Sequence, residues 1–303
     1  MIPRLDARAL QAGDPEAMTA LRHGVEEAGF LTLHDTAIPP GQVEGLIAAY
    51  RRFFALPVEE KRKVDMAATG ANRGWGAPRS ERVDPEANPD YKEVFDCGFE
   101  LPEGDPLRAR GLGVYAPNRW PEDMPDFRAT LETYQRDALG VALRLLSAIA
   151  RAIGAEPGYF DDKFTRPMAL LRGNYYPPRP EGAGARDFGI GAHTDYGCLT
   201  LLATDRVPGL EVQTPAGGWV PVAAPPGEFI VNFGEMLEMW TGGAVRATPH
   251  RVVGGTEERI SVPLFVNPDY DTNVAPPGSG RVIPAGEHLQ KRFDETYLHL
   301  ARG

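Results

Sequence analysis

The chain of 303 residues carries 32 basic and 42 acidic side chains, a formal net charge of −10, with 42% hydrophobic and 24% charged residues. That is an ordinary globular composition with room for a large buried core, and an acidic surface of this kind makes neither nucleic acid nor anionic membrane an expected partner. Cys97 and Cys198 are too few for a disulfide framework, and neither a signal-peptide pattern in the first 14 residues nor an apolar run long enough to span a bilayer is found, so a cytoplasmic protein is expected.

Along the chain, Asp14-Pro15-Glu16 reads as a helix start, with Asp14 as N-cap and Pro15 in the first turn. Residues 29–33, Gly-Phe-Leu-Thr-Leu, read as a short strand. A second helix begins after Pro39-Pro40 and runs through Tyr50 and Phe54. Residues 66–125 are rich in Gly, Pro, Asp and Asn and read as loops with short strands. Then Phe127, Leu131, Tyr134, Ala138, Val141, Leu145, Ala148 and Ala152 recur at steps of three or four. That spacing predicts one apolar stripe on a long helix, ended by Gly154. From Met168 the texture changes to short apolar runs, 199–203, 229–233 and 260–266, separated by Pro-Gly and Gly-Gly turns. These predict a closed or two-sheet antiparallel β architecture. Residues 285–300 read as a last helix. The chain divides into an N-terminal helix and strand region (1–120), a central helix (121–165), a β core (166–284) and a C-terminal helix (285–303).

Two of the six histidines stand in informative surroundings, Gly191-Ala192-His193-Thr194-Asp195 and Thr248-Pro249-His250-Arg251-Val252. On an extended strand, residues two apart point the same way, so His193 and Asp195 can reach one ion. His250 from a neighbouring strand would complete a face of two histidines and one carboxylate. That arrangement leaves positions open for substrate and O2, as in non-haem Fe(II) oxygenases. Zinc accepts the same donors, and a hydrogen-bonded core histidine is the plain alternative for His250. Arg259-Ile260-Ser261 adds a guanidinium and a hydroxyl on one strand face, which suits a buried carboxylate; otherwise Arg259 is a surface arginine beside Glu257 and Glu258. Asn174 and Tyr176 share a strand face with Arg172, and Tyr176 is a further hydroxyl donor or an aromatic core residue.

Taken in order, these segments resemble the isopenicillin-N-synthase-like group of Fe(II)/2-oxoglutarate dioxygenases. The likeness runs through Phe53-Phe54-Ala55-Leu56-Pro57, Tyr91-Lys92-Glu93-Val94-Phe95-Asp96, Asn174-Tyr175-Tyr176-Pro177-Pro178, Val231-Asn232-Phe233-Gly234 and the histidine and arginine segments above. His193-Thr194-Asp195-Tyr196-Gly197 and Met239-Trp240-Thr241-Gly242-Gly243 are most similar to bacterial members of the ethylene-forming-enzyme-like and 2-oxobutyrate-oxidase-like kind. The resemblance implies a double-stranded β-helix (jelly-roll) core with flanking helices. It implies Fe(II) on His193, Asp195 and His250, with O2 and 2-oxoglutarate as co-substrates. Arg259 and Ser261, with Tyr176 and Asn174, are then the oxoglutarate contacts. Substrate contacts do not carry over from the family; the candidates read from this chain itself are Arg73, Arg172, Tyr196 and Phe265.

Three rivals stand beside that expectation. One is an oxidase or cyclase of the same fold that uses iron without 2-oxoglutarate. Another is a zinc hydrolase, though His-Glu-x-x-His is absent and no general base stands out. The third is a metal-binding jelly-roll protein without catalysis. For the substrate, Arg73, Arg79, Arg82 and Lys92 cluster in a loop region of an acidic protein, which predicts a small anionic molecule. Glu81, Asp84, Glu86, Asp90 and Glu93 stand among those cations and offer simple pairing instead.

Overall fold

The computed structural model describes residues 2–80, 90–156, 158–179, 182 and 189–296, with the side chains of 295 and 296 excepted. Among the described residues, twelve strands form two sheets. The larger has eight: β1 (Arg4–Asp6), β2 (Phe30–His34), β3 (Gly74–Gly76), β4 (Glu93–Gly98), β5 (Leu170–Tyr176), β7 (Leu199–Thr204), β10 (Phe229–Phe233) and β12 (Arg259–Val266). Their order is β1-β2-β10-β7-β12-β5-β4-β3. The smaller sheet runs β6 (Ile190–His193), β11 (His250–Val252), β8 (Leu210–Gln213) and β9 (Trp219–Pro221). Every pairing between these strands is antiparallel except β1 with β2, which run parallel. The chain returns from β1 to β2 by helices, the kind of crossover that a parallel pair requires.

Phe30, Tyr176, Leu202 and Ile230 of the large sheet pack against Leu210, Val212 and Val252 of the small one, forming the inner core of a jelly roll. The other face of the large sheet is covered by helices. α1 (Ala7–Ala12) and α2 (Pro15–His23) come first, and Asp14 caps α2 by accepting from the Ala17 amide at 2.9 Å. α3 (Pro40–Phe54) buries Val43, Leu46, Ile47, Tyr50, Phe53 and Phe54. The short α4 (Val58–Arg62) follows. α5 (Pro125–Ala152) buries the whole stripe predicted from the sequence, and Gly154 beyond it adopts φ +71°. Phe53 and Phe127 stack at 5.2 Å between α3 and α5. Strands β1 to β4 come from the first 120 residues yet are built into the large sheet, so this region shares its sheet with the core. Two further helices are α6 (Glu235–Trp240), which the reading of the sequence missed, and α7 (Ala285–Thr296). No described helix is long and apolar enough to cross a membrane.

Candidate active site and metal centre

The register of the small sheet sets His250 directly opposite His193. Their rings lie 4.3 Å apart. Each Nδ1 faces a backbone carbonyl, Gly191 O at 2.8 Å and Thr248 O at 3.2 Å. A carbonyl can only accept, so each Nδ1 carries the proton and each Nε2 presents a lone pair. Both Nε2 atoms converge on Asp195 Oδ1, at 3.8 and 3.7 Å. Such a group can hold a metal ion. One expectation needs correction. Strand β6 stops at His193, so Asp195 reaches the site from the loop that follows, not by strand alternation.

What orients Asp195 is a set of residues not singled out in the sequence. Its other oxygen, Oδ2, accepts from Thr200 Oγ1 and from Asn232 Nδ2, the latter at 2.6 Å. Oδ1 is thereby left for the ion. Burial works against charge on Asp195, but His250, His193 and these two donors hold its carboxyl below the usual carboxylate range. Burial, with His193 beside it, lowers the His250 imidazole to about 4, the neutral form a metal ligand needs. The loop itself is docked on the start of α6. Gly234, Glu235 and Met236 amides donate to the carbonyls of Cys198, Asp195 and Gly197. A side chain at Gly234 would run into the Asp195 and Gly197 carbonyls, so glycine is required there for close approach. Asn232 had left a trace in the sequence, as one polar residue inside the apolar strand Phe-Ile-Val-Asn-Phe.

Across the gap, on the large sheet, register pairs Arg259 with Tyr176 and Ser261 with Asn174. Arg259 is 4% exposed. Its guanidinium lies 5.1 Å over the Tyr176 ring and donates through Nε to Val207 O at 3.3 Å. Its Nη1 and the Oδ1 of Asn174 are buried with no hydrogen-bond partner among the described residues. An orphaned buried guanidinium nitrogen is costly unless an anion meets it. The site therefore fits a carboxylate bound here and a metal bound at the histidines.

The four candidate substrate residues, Arg73, Arg172, Tyr196 and Phe265, all line the same cavity as the histidines and Arg259. The two arginines differ. Arg172 makes a two-pronged pair with Asp96, Nε to Oδ1 at 2.8 Å and Nη2 to Oδ2 at 2.6 Å, so its charge is met inside the protein. Arg73, 2% exposed, donates to the backbone carbonyls of Asn72, Val114 and Ala116 and has no carboxylate partner among the described residues. Lys92, also lining the cavity, pairs with Asp90 at 2.9 Å. Arg79 is exposed at φ +64° and does not line it. Arg82 lies outside the described residues. Among the described residues of the loop cluster, Arg73 is the cavity-lining cation without a carboxylate partner.

The family described as non-haem dioxygenase in morphine synthesis N-terminal matches residues 2–123, and the 2OG-Fe(II) oxygenase superfamily matches residues 167–268. A 2-oxoglutarate-Fe(II) type oxidoreductase of Aspergillus fumigatus is 33% identical, covering 88% of this chain and 83% of its own. A homoarginine-6-hydroxylase of Glycine max is 32% identical over 93% and 87%. Among solved structures, a full-length Neurospora crassa protein in complex with alpha-KG and thymine superposes with a TM-score of 0.83, at 28% identity, covering 97% of each chain.

Proposed function

We propose, from the premise that the chain belongs to the 2OG-Fe(II) oxygenase superfamily, that His193, Asp195 and His250 hold its ferrous iron and that Arg259 and Ser261 hold the far carboxylate of 2-oxoglutarate. The enzyme is an oxidoreductase dependent on iron, 2-oxoglutarate and O2. The observation that carries the residue assignment is the pairing across the cavity of a convergent His-Asp-His donor set with an orphaned buried guanidinium.

Iron, when bound, would activate O2, which is the oxidant: two of its four oxidising equivalents would convert 2-oxoglutarate to succinate and CO2, and the other two would oxidise the organic substrate. The chain's own part is orientation and exclusion of water. Gly191 and Thr248 carbonyls fix the imidazole tautomers. Thr200 and Asn232 turn one oxygen of Asp195 toward the metal. Ser261 supplies a hydroxyl beside Arg259, Tyr176 supports the guanidinium from its ring face, and Asn174 offers its amide on the same strand face. Leu202, Leu210, Ile190 and Val252 line the space between the two ends with apolar surface, which strengthens every charge contact inside. Anaerobic titration of Fe(II) and 2-oxoglutarate, read by the absorption of the iron complex, tests the assignment. Arg259→Ala that binds 2-oxoglutarate as the parent does would overturn it. No observation favours zinc hydrolysis or an oxoglutarate-independent oxidase.

For the organic substrate we infer a small molecule bearing an anionic group. Names among the relatives range from thymine to homoarginine, so the charge argument must come from this chain. Arg73 supports it, as a buried cation on the cavity wall without a carboxylate partner among the described residues. In a site with little water, such a charge selects an anion. The test is a panel of small acids, amides and amines scored for O2 consumption coupled to product. A neutral or purely cationic compound that couples best sinks the idea.

A further inference from the structure

One connected set of side chains lies beside the site and serves neither the metal nor the clamp: Thr194, Tyr196, Glu235 and Arg292. Helix α7 turns Leu289, Gln290 and Phe293 into the cavity and so forms one of its walls. From the same helix, Arg292 reaches Glu235 at 3.2 Å and lies 4.4 Å over the ring of Tyr196. Glu235 Oε1 accepts from Thr194 Oγ1 at 2.5 Å and also from Arg292 Nη2 at 3.3 Å. Thr194 stands between His193 and Asp195, and Tyr196 follows Asp195. The helix that walls the cavity therefore grips the ligand loop on both sides of the carboxylate ligand.

We infer that Glu235 is a positioning residue that, together with Arg292, latches α7 to the ligand loop. Loading of the metal site and seating of α7 against the substrate cavity then reinforce each other. The contacts stand on their own; only the identity of what loads the site rests on the iron and oxoglutarate reading. Arg292 and Glu235 are each about one-third exposed, and an ion pair of that kind is weak in isolation. Its leverage comes from the shared carboxylate. Glu235 can hold the Thr194 hydroxyl in place only while its orientation is fixed, and Arg292 fixes it by contacting both carboxylate oxygens. The backbone already ties the loop to α6 through the Glu235 amide and the Asp195 carbonyl at 2.8 Å, so rotation of the Glu235 side chain is the remaining freedom. Coupling of this kind is reciprocal by linkage: whatever orders the loop must protect α7, and whatever releases α7 must loosen the loop.

Amide hydrogen exchange on the full-length chain tests this, with Mn(II) plus 2-oxoglutarate as a non-turnover probe. In the parent, the probe should slow exchange in residues 285–296 although α7 carries no ligand. In Arg292→Met, residues 194–198 of the metal-free protein should exchange faster and the probe should no longer protect α7. Apparent Mn(II) affinity should fall by about fivefold, at the low end of ordinary coupling. Arg292→Lys should restore part of this, since an ammonium pairs with Glu235 but does not stack on Tyr196 as a planar guanidinium does. Thr194→Val keeps the side-chain shape and should reproduce the lost coupling, which carries the test if Arg292→Met does not fold. The inference is overturned if Arg292→Met loosens α7 alone and leaves loop exchange and Mn(II) affinity at parental values. Failure of the parent to bind Mn(II) would instead count against the iron site, while exchange in the metal-free loop would still decide the latch.

Discussion

Replacing Asn232 by Leu should weaken iron binding about 10- to 100-fold while leaving the fold intact. The side chain is 3% exposed and its Nδ2 stands 2.6 Å from Asp195 Oδ2. Leu has nearly the same shape, so the substitution removes a donor without opening a cavity. A hydrogen bond to a charged group contributes about 1.5–3 kcal/mol, and about 1.4 kcal/mol is tenfold in affinity, which gives the same range. The physical route is specific. With one of its two donors gone, the carboxylate is less stabilised as an anion and less restrained in rotation, so both oxygens compete for the ion. Asn232→Asp should be worse, because two carboxylates at that separation must share a proton. The assay is anaerobic titration with Fe(II) or Co(II), with thermal melts in parallel. Parental affinity in both Asn232→Leu and Thr200→Val would refute the claim that Oδ2 is held so that Oδ1 can bind.

His250→Ala should lose most iron affinity and all succinate formation with its melting temperature little changed, because three ligands make the whole protein share of the site; normal turnover in that variant removes the triad. Arg259→Ala should raise the dissociation constant for 2-oxoglutarate by on the order of a hundredfold without a matching loss of iron, and Arg259→Lys should recover only part of it; equal losses of both ligands would point to a damaged cavity instead. Gly173→Ala should destabilise the protein by about 1–3 kcal/mol, since a methyl group there would run into the ring of the fully buried Tyr50; an unchanged melting curve would mean that α3 yields more easily than its packing implies.

Much of the architecture was legible because its signals are local and periodic. The stripe on α5 and the Pro40 start of α3 need no partner to be read, and Arg259 and Ser261, read as sharing one strand face, both line the cavity. His-x-Asp is too common to carry a metal reading alone; the order of His193-x-Asp195, His250 and Arg259-Ile260-Ser261 raised it, and the family likeness was added to that. What stayed hidden depends on contacts between distant segments. Arg172 read as a spare cation, but its partner Asp96 is its register neighbour on β4, a pairing that no spacing in the chain announces. Helix α6 is six residues long and was invisible to periodicity. Glu235 and Arg292 are ordinary charged residues until α6 and α7 are folded against the ligand loop.

On the proposed assignment, the two ends of the co-substrate face different sheets: β6 and β11 carry the histidines, and β12 carries both Arg259 and Ser261. Sheets packed face to face stand about 10 Å apart, and the inner core of Phe30, Leu202, Val212 and Val252 keeps them there. The enzyme thus owns a caliper whose jaws are set by backbone packing. Trimming a clamp residue alters how firmly a diacid is held, but the chain length that spans the jaws belongs to the sandwich.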